Sequence, residues 1–306
     1  MKTITEILME NSGKEFSLKN AYDQIHKVNP EVKNPSIRAR IYEAIDKGIL
    51  KRISKGIFKS KDCLLIQGDG RDLSFLGDSS IDAIITDHPY DLKGNKGGNR
   101  NFAQYSCFQY TQEDFNEKAR VLKDGHFLVE FIPEESGDNW KYLTKIKEMA
   151  EKAGFLYYAK VPWVKGDFVS NCGRKSKNTE DVLIFSKGVA RSLRPDAKKN
   201  KQDPTNLHFM SGANGMLPIC FNYPKVAKKE TINQAQKPEL LLEAIIDYVT
   251  LPEEVILDQF AGSGVLGEAC QKTNRKSILI EIDENSISLI RKRLNMVPCL
   301  QKLSVQ

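Results

Sequence analysis

The chain has 306 residues, 40% hydrophobic and 28% charged, an ordinary globular composition with room for one large domain or two smaller ones. No apolar run approaches the ~18 residues of a membrane helix, the N-terminal MKTITEILMENSGKEFS has acids and no apolar core and does not read as a signal peptide, and six scattered cysteines without a C-x-x-C pair argue against zinc and disulfides and for a reducing cytoplasm. The formal charge of +6 lies wholly in residues 1–61, which hold 13 Lys or Arg against 7 Asp or Glu, while residues 62–306 hold 33 of each sign, so an anionic partner is expected at the N-terminal part.

Residues 1–61 read as a small domain of their own. KTITEILMEN and SLKNAYDQIHKV have the spacing of short amphipathic helices, and KNPSIRARIYEAIDKGI that of a third. Asn34 suits an N-cap and Pro35 the first helical position. Ile37, Ile41, Ala44 and Ile45 then share one face, which leaves Arg38 and Arg40 off it and available to DNA. LKRIS and IFKS, joined at Lys55-Gly56, read as a hairpin. Three helices and a basic hairpin resemble a winged helix-turn-helix; a small packing or dimerisation domain is the alternative.

From residue 62 strands and helices alternate. Strands are expected at 63–67, 81–86, 126–132, 155–164, 181–186, 254–260 and 276–283, with helices in TQEDFNEKARVL, NWKYLTKIKEMAEKAG, KPELLLEAIIDYVT, GVLGEACQKT and ENSISLIRKRL. Seven strands interleaved with helices predict an α/β fold, a doubly wound sheet, over residues 62–306. Two stretches break the alternation. Residues 91–105 are rich in Gly and Asn and look mobile, and within them the basic run 92–100, with Lys93, Lys96 and Arg100, reads either as a flexible cover or as a disordered surface loop; residues 189–232 carry prolines and scattered basic residues with little periodicity.

Two strand ends carry the chemistry. IDAIIT has the β-branched character of a strand buried on both faces, and it stops at Asp87-His88-Pro89-Tyr90, where ligands bind in open α/β sheets. VILD ends at Asp258 and runs through Phe260 into Gly262-Ser263-Gly264, a turn that lets the backbone approach a ligand and opens a helix N-terminus toward it. No Lys-Ser or Lys-Thr follows, so this is not a Walker loop. Glu281 ends the next strand, where a carboxylate accepts ribose hydroxyls in dinucleotide folds. His26, His126 and His208 have no metal-ligand spacing, and no metal is expected.

DQFAGSGVLGEA resembles the D-P-F-x-G-S-G loop of DNA amino-methyltransferases, and DHPY their D-P-P-Y motif. INQAQKPELLLEAII resembles the Q-K-P segment before that loop, LIQGD the strand whose carboxylate meets the cofactor adenine, and RVLKDGHFLVEFI and KNTEDVLIFSKG the two strands after the catalytic motif. The motif precedes the loop, the circularly permuted order of the beta class. The resemblance covers residues 63–295 and implies a Rossmann-like fold that binds S-adenosylmethionine (SAM) and, as substrate, double-stranded DNA. It implies catalysis by Asp87, His88, Pro89 and Tyr90 and cofactor contacts from Asp69, Gln236, Lys237, Asp258, Phe260, Gly262, Gly264 and Glu281. An adenine-N6 enzyme that flips its target base is the leading reading, since cytosine-N4 enzymes usually open their motif with Ser or Thr; the alternatives are a cytosine-N4 enzyme and a non-catalytic SAM-sensing DNA-binding regulator. Residues 189–232 take the place of the family's target-recognition region. His88 stands where the family has proline; only its backbone carbonyl is expected to matter, so His88→Pro is expected to be tolerated. Gln259, also replacing a proline, is expected to have little effect. The target sequence, a cognate nuclease and the oligomeric state, a homodimer included, stay open.

Overall fold

The computed structural model describes residues 15–46, 50–55, 57–60, 62–90, 107–166, 178–195, 209–210, 212–227, 236–294 and 296. Its N-terminal part contains strand β1 (Glu15–Ser17), helices α1 (Leu18–Val28) and α2 (Asn34–Asp46) and the hairpin strands β2 (Leu50–Ser54) and β3 (Ile57–Ser60). Ser17 starts α1 because its Oγ accepts the Asn20 N–H at 3.1 Å while Asn20 Oδ1 accepts the Ser17 N–H at 3.0 Å, which satisfies two donors that a helix end leaves bare. The third strand of the antiparallel sheet, ordered β1-β3-β2, is β1, which the sequence does not announce. Phe16, Ala21, Ile25, Ile37, Ile41, Ala44 and Leu50 are buried together, so the apolar face read on α2 is real, and Arg38 and Arg40 are exposed beside it. The expected first helix, residues 2–11, and Gly56 lie outside the described residues.

All seven expected strands form in the second part: β4 (Cys63–Gln67), β5 (Ile81–Thr86), β6 (Leu122–Pro133), β7 (Phe155–Val164), β8 (Thr179–Lys187), β12 (Val255–Asp258) and β13 (Lys276–Glu281). Among the described residues the sheet has eight strands rather than seven, because β11 (Phe221–Asn222) pairs with β7 at one edge. Two residues are too short for any alternation to register. A separate pair, β9 (Arg194–Pro195) with β10 (Phe209–Met210), also comes from the poorly patterned 189–232 stretch. The helices are α3 (Gln112–Val121), α4 (Trp140–Lys152), α5 (Glu239–Val249), α6 (Val265–Lys272) and α7 (Glu284–Arg293), one for each helical run read in the sequence. No helix among the described residues is long and apolar enough to cross a membrane.

The sheet order is β11-β7-β8-β6-β5-β12-β13-β4; β8 runs antiparallel to both neighbours and the other pairings are parallel. Every residue of β5 is buried, as its unbroken apolar run requires. Its Ile84 faces Phe115, Leu128 and Leu143 in one core, and its Ala83 and Ile85 face Phe127, Leu241, Ile245 and Leu266 in the other. Each such buried Ile, Leu or Phe side chain contributes on the order of 1.5–3 kcal/mol. The consequence for function is positional. β5 and β12 lie side by side at the centre, with chain connections leaving in opposite directions, and a crevice opens at their carboxyl ends.

Candidate active site

Asp87 follows β5 and Asp258 ends β12, so these adjacent parallel strands deliver two carboxylates to one crevice. The crevice is a cavity of about 500 Å³, within the usual range for a small-molecule site. Asp87, His88, Pro89 and Tyr90 line it together with Asp69, Gln236, Lys237, Asp258, Phe260, Gly262 and Glu281. Gly264 does not line it. It holds the turn into α6 in the left-handed region at φ 71°, and a Cβ there would lie 2.8 Å from the Ile290 side chain, so both conformation and space require glycine.

Glu281 does more than the sequence suggests. One carboxylate oxygen accepts the Gly262 N–H at 2.7 Å and the other accepts the N–H groups of Ile282 and Asp283, each at 2.9 Å. Glu281 therefore shapes the glycine loop as well as facing the cavity. Burial raises its pKa against the pull of those three donors. Gln259 corrects the expectation of little effect. It is 1% exposed, and its Nε2 donates to the Gly70 carbonyl at 2.6 Å, tying the glycine loop to the turn after β4. Gly70 is needed there because a Cβ would fall 1.9 Å from the Gln259 carbonyl oxygen. Asp69 is held by Arg71 through a two-pronged ion pair, with Arg71 Nη2 at 2.7 Å, which lowers the Asp69 pKa. The Arg71 guanidinium in turn covers the Phe108 ring at 4.8 Å, and the Phe108 N–H donates to the Pro89 carbonyl at 3.1 Å. Phe108 is thus part of the cavity wall rather than simple core.

The Asp87 end of the cavity is a knot of four charges. Lys237 is ion-paired with Asp87 and reaches Glu180 at 3.2 Å, while Glu180 is also paired with Lys165. The Lys237 ammonium lies 5.0 Å from the Phe131 ring centroid and 5.8 Å from that of Trp163, within cation–π range. Trp163 is buried and also walls the cavity, its Nε1 donating to the Tyr223 carbonyl at 2.8 Å. Burial and the charge of Glu180 push the Asp87 pKa up while Lys237 pulls it back. The Lys237 pKa is raised: burial opposes its charge, and the two carboxylates more than offset that. So Lys237, expected among the cofactor contacts, touches the Asp87 carboxylate. Asp258 is pushed up to about 7 by burial, against hydrogen bonds from the Phe260 N–H at 3.1 Å and Thr86 Oγ1 at 3.4 Å.

His88 is 1% exposed, and its ring is not idle. It lies 4.0 Å from the ring centroids of both Tyr90 and Tyr110, and its Nε2 is 2.7 Å from Tyr142 Oη. Replacement by proline would empty that slot, so tolerance of His88→Pro no longer follows from keeping the carbonyl alone. Behind it Lys118 and Glu130 form a fully buried ion pair.

Of the residues expected to meet DNA, Arg38 is exposed, and Arg40 is exposed but ion-paired with Glu43; Lys93, Lys96 and Arg100 lie outside the described residues. His126 does converge with Asp82 and Glu254, which its sequence spacing conceals. That group is already neutralised: Arg191 bonds both His126 and Glu254, and Lys123 bonds Asp82 at 2.6 Å. Burial pushes the Asp82 pKa up, but His126, whose Nε2 lies 3.4 Å away, the Lys123 ammonium and the Val255 N–H hold it at about 2. Glu180, Lys165 and Gln259 were missed by sequence reasoning, since each acts on a residue distant in sequence or through a backbone group no motif encodes; Arg71 was missed although its partner Asp69 is two residues away, because no motif marks that pair.

The profile of a DNA methylase family, N6_N4_Mtase, matches residues 81–292. The chain is 29% identical over 230 residues to the type II methyltransferase M.HpaI of Haemophilus parainfluenzae, covering 73% of this chain and 71% of that one. It is 25% identical over 266 residues to the type II methyltransferase M2.LlaDCHI of Lactococcus lactis subsp. cremoris, covering 79% and 93%. Among solved structures, M1.HpyAVI in complex with SAM superposes with a TM-score of 0.55 at 24% identity, over 76% of this chain and all of that one. PvuII DNA methyltransferase, cytosine-N4-specific, superposes with a TM-score of 0.53 at 15% identity, over 80% and 89%. At these identities the superpositions establish the shared fold.

Proposed function

The chain belongs to the N6_N4 DNA methylase family, and from that premise we propose that it methylates the N6 amine of an adenine flipped out of double-stranded DNA. The observation that carries this reading is the single cavity shared by Asp87, the His88 backbone, Tyr90 and the glycine loop. The cavity fits SAM: it is large enough, it offers the carboxylates Asp69, Asp258 and Glu281 to a cationic ligand, and its floor is a glycine turn that Gln259 and Glu281 hold open. When bound, SAM supplies a methyl group on a cationic sulfur.

The chain's own task is to make a poor nucleophile react. The exocyclic amine of adenine has its lone pair delocalised into the ring. Asp87 and the His88 carbonyl each accept one of its N–H bonds, which pulls the nitrogen toward tetrahedral and localises that pair. For the amine to reach Asp87, Lys237 gives up part of its contact and rests on Glu180, its second carboxylate. As the nitrogen gains positive charge, the Asp87 carboxylate stabilises it in a buried setting where the interaction is strong. The raised pKa of Asp87 suits it to hold the proton that the nitrogen then sheds. Tyr90 stacks on the base, which must leave the helix to reach the cavity. Asp87 in place of Ser or Thr favours adenine over cytosine. The test is nucleoside analysis of DNA from cells expressing the chain. N6-methyladenine is expected; N4-methylcytosine would reassign the substrate, and unmodified DNA would favour a SAM-sensing regulator.

Asp258 sets a pH dependence. Its pKa of about 7 describes the free protein. A cationic ligand prefers the ionised carboxylate, so SAM affinity should rise as pH increases through about 7 and level off above it. Calorimetry from pH 6 to 8.5 should show that rise, and Asp258→Asn should flatten it.

Residues 1–61 would act as a winged-helix DNA-binding domain that shares recognition with residues 189–232, which carry 8 Lys or Arg against 3 Asp or Glu over 189–230. The support is a separate core, a three-stranded sheet and exposed arginines on α2. Residues 62–306 alone should fold and bind SAM, but bind DNA more weakly and with a flatter salt dependence, since affinity falls with salt in proportion to the phosphates neutralised. Arg38→Ala should reproduce part of that loss, and Arg40→Ala less, because Arg40 is already paired with Glu43. Equal affinity and salt slope with and without residues 1–61 would leave them a packing role.

A further inference from the structure

His88 is the one residue of the DHPY tetrapeptide that departs from the D-P-P-Y pattern, and its side chain is buried and anchored. Three elements hold it. Tyr142 of α4 meets Nε2 at 2.7 Å. The Tyr110 ring, 4.0 Å away between centroids, packs on one side, with Tyr90 at the same distance. Glu130 of β6 places Oε2 3.9 Å from Nδ1, which has no hydrogen-bond partner among the described residues.

The bonding pattern selects one tautomer. Tyr142 Oη already accepts the Tyr110 N–H at 2.9 Å, so the use left for its own proton in this buried place is donation to His88 Nε2. The imidazole proton then sits on Nδ1, facing the Glu130 carboxylate. The opposite tautomer would leave the Tyr142 proton without an acceptor and aim a nitrogen lone pair at a carboxylate. Glu130 is itself fixed by the buried Lys118 ammonium and by Tyr110 Oη at 3.5 Å. Burial and the nearby Lys118 charge keep His88 neutral, well below the usual imidazole range.

We propose that the Tyr142 hydroxyl, donating to His88 Nε2, and the Tyr90–Tyr110 slot fix the His88 backbone so that its carbonyl meets the target amine, in place of the φ restraint that proline supplies in the family. His88 and Tyr142 are then positioning residues for the reaction, with Tyr142 54 positions away in sequence. The proposal rests on the methyltransferase reading of the cavity.

The test is a two-by-two set: Tyr142→Phe in the unmodified chain and in His88→Pro, with kcat and the KM values for SAM and DNA measured in each. Tyr142→Phe keeps the ring and removes only the hydroxyl. In the unmodified chain kcat should fall by about tenfold with both KM values unchanged, the loss expected from a misplaced acceptor. In His88→Pro, where the ring supplies the restraint, Tyr142→Phe should change kcat by less than about twofold. Tyr110 loses its acceptor in both backgrounds, so a merely structural effect would appear equally in both and overturn the proposal, as would an unchanged kcat in the first. Nitrogen-15 spectra of the four histidines provide a readout that needs no activity and no proline variant. They should show His88 protonated at Nδ1 and bare at Nε2, and a proton on Nε2 would overturn the hydrogen-bond assignment. If the unmodified protein transfers no methyl group, the reading of the site fails, while the spectra still decide the bonding of His88.

Discussion

Asp87→Ala should abolish methyl transfer, lowering kcat by at least ~10³-fold, while SAM binding stays within about twofold of the unmodified protein. The size follows from the proposed role of the carboxylate: it would accept an N–H bond of the reacting amine and face the charge that develops there, a contact for which losses of ~10²–10³-fold are typical even of single neutral donors. SAM affinity survives because the other cavity carboxylates, Asp69, Asp258 and Glu281, and the glycine loop are untouched. The fold should survive as well, because Lys237 keeps Glu180 at 3.2 Å and is not left as an unpaired buried charge. Asp87→Asn separates charge from shape. It keeps an oxygen acceptor but not the negative charge, so most of the loss should persist. Single-turnover kinetics beside calorimetric SAM affinity check both. Residual turnover within tenfold of the unmodified rate in Asp87→Ala would remove Asp87 from the chemistry.

Glu281→Ala should act on the other half of the site. Three backbone N–H groups, those of Gly262, Ile282 and Asp283, would lose their acceptor at once, and a ribose hydroxyl contact would go with them. Hydrogen bonds to a charged group contribute about 1.5–3 kcal/mol each, with water recovering part of that at this half-buried site. SAM affinity should therefore fall by ~10²-fold or more, with a lower Tm in the absence of ligand, because the loop itself is loosened. Glu281→Gln, which keeps one carbonyl oxygen, should recover part of the Tm and less of the affinity. Calorimetry and thermal unfolding separate the two roles. An unchanged SAM affinity in Glu281→Ala would take Glu281 out of the cofactor site, and an unchanged Tm would mean that its bonds to the loop are dispensable.

What could be read in the sequence was local. The β-branched run of β5, the glycine turn after β12 and the single apolar face of α2 each declare themselves within a dozen residues, through the period of side-chain burial or the conformational needs of glycine. The carboxylate after each central strand follows from the same logic, since open α/β sheets expose their strand ends. What could not be read was pairing across distance. Lys237 meets Asp87 across 150 positions, and Gln259 meets Gly70 across 189, through a backbone oxygen that carries no sequence signal. The His88 ring looked dispensable because the tetrapeptide names only its carbonyl; its partners Tyr110, Glu130 and Tyr142 come from a loop, a strand and a helix that converge only in the folded chain. The edge strand β11 was missed for a simpler reason, since Phe221–Asn222 spans a single period of alternation, too little for a pattern to repeat.

The cavity is expected to move a methyl group from SAM to adenine in DNA. The most direct measurement incubates the purified full chain with methyl-labelled SAM and DNA from a host lacking modification, then digests the DNA and separates its nucleosides. All of the label should appear in N6-methyladenine, recurring at one short sequence, and Asp87→Ala should leave the DNA unlabelled. Label in N4-methylcytosine, or SAM binding with no label in DNA at any protein concentration, would contradict it.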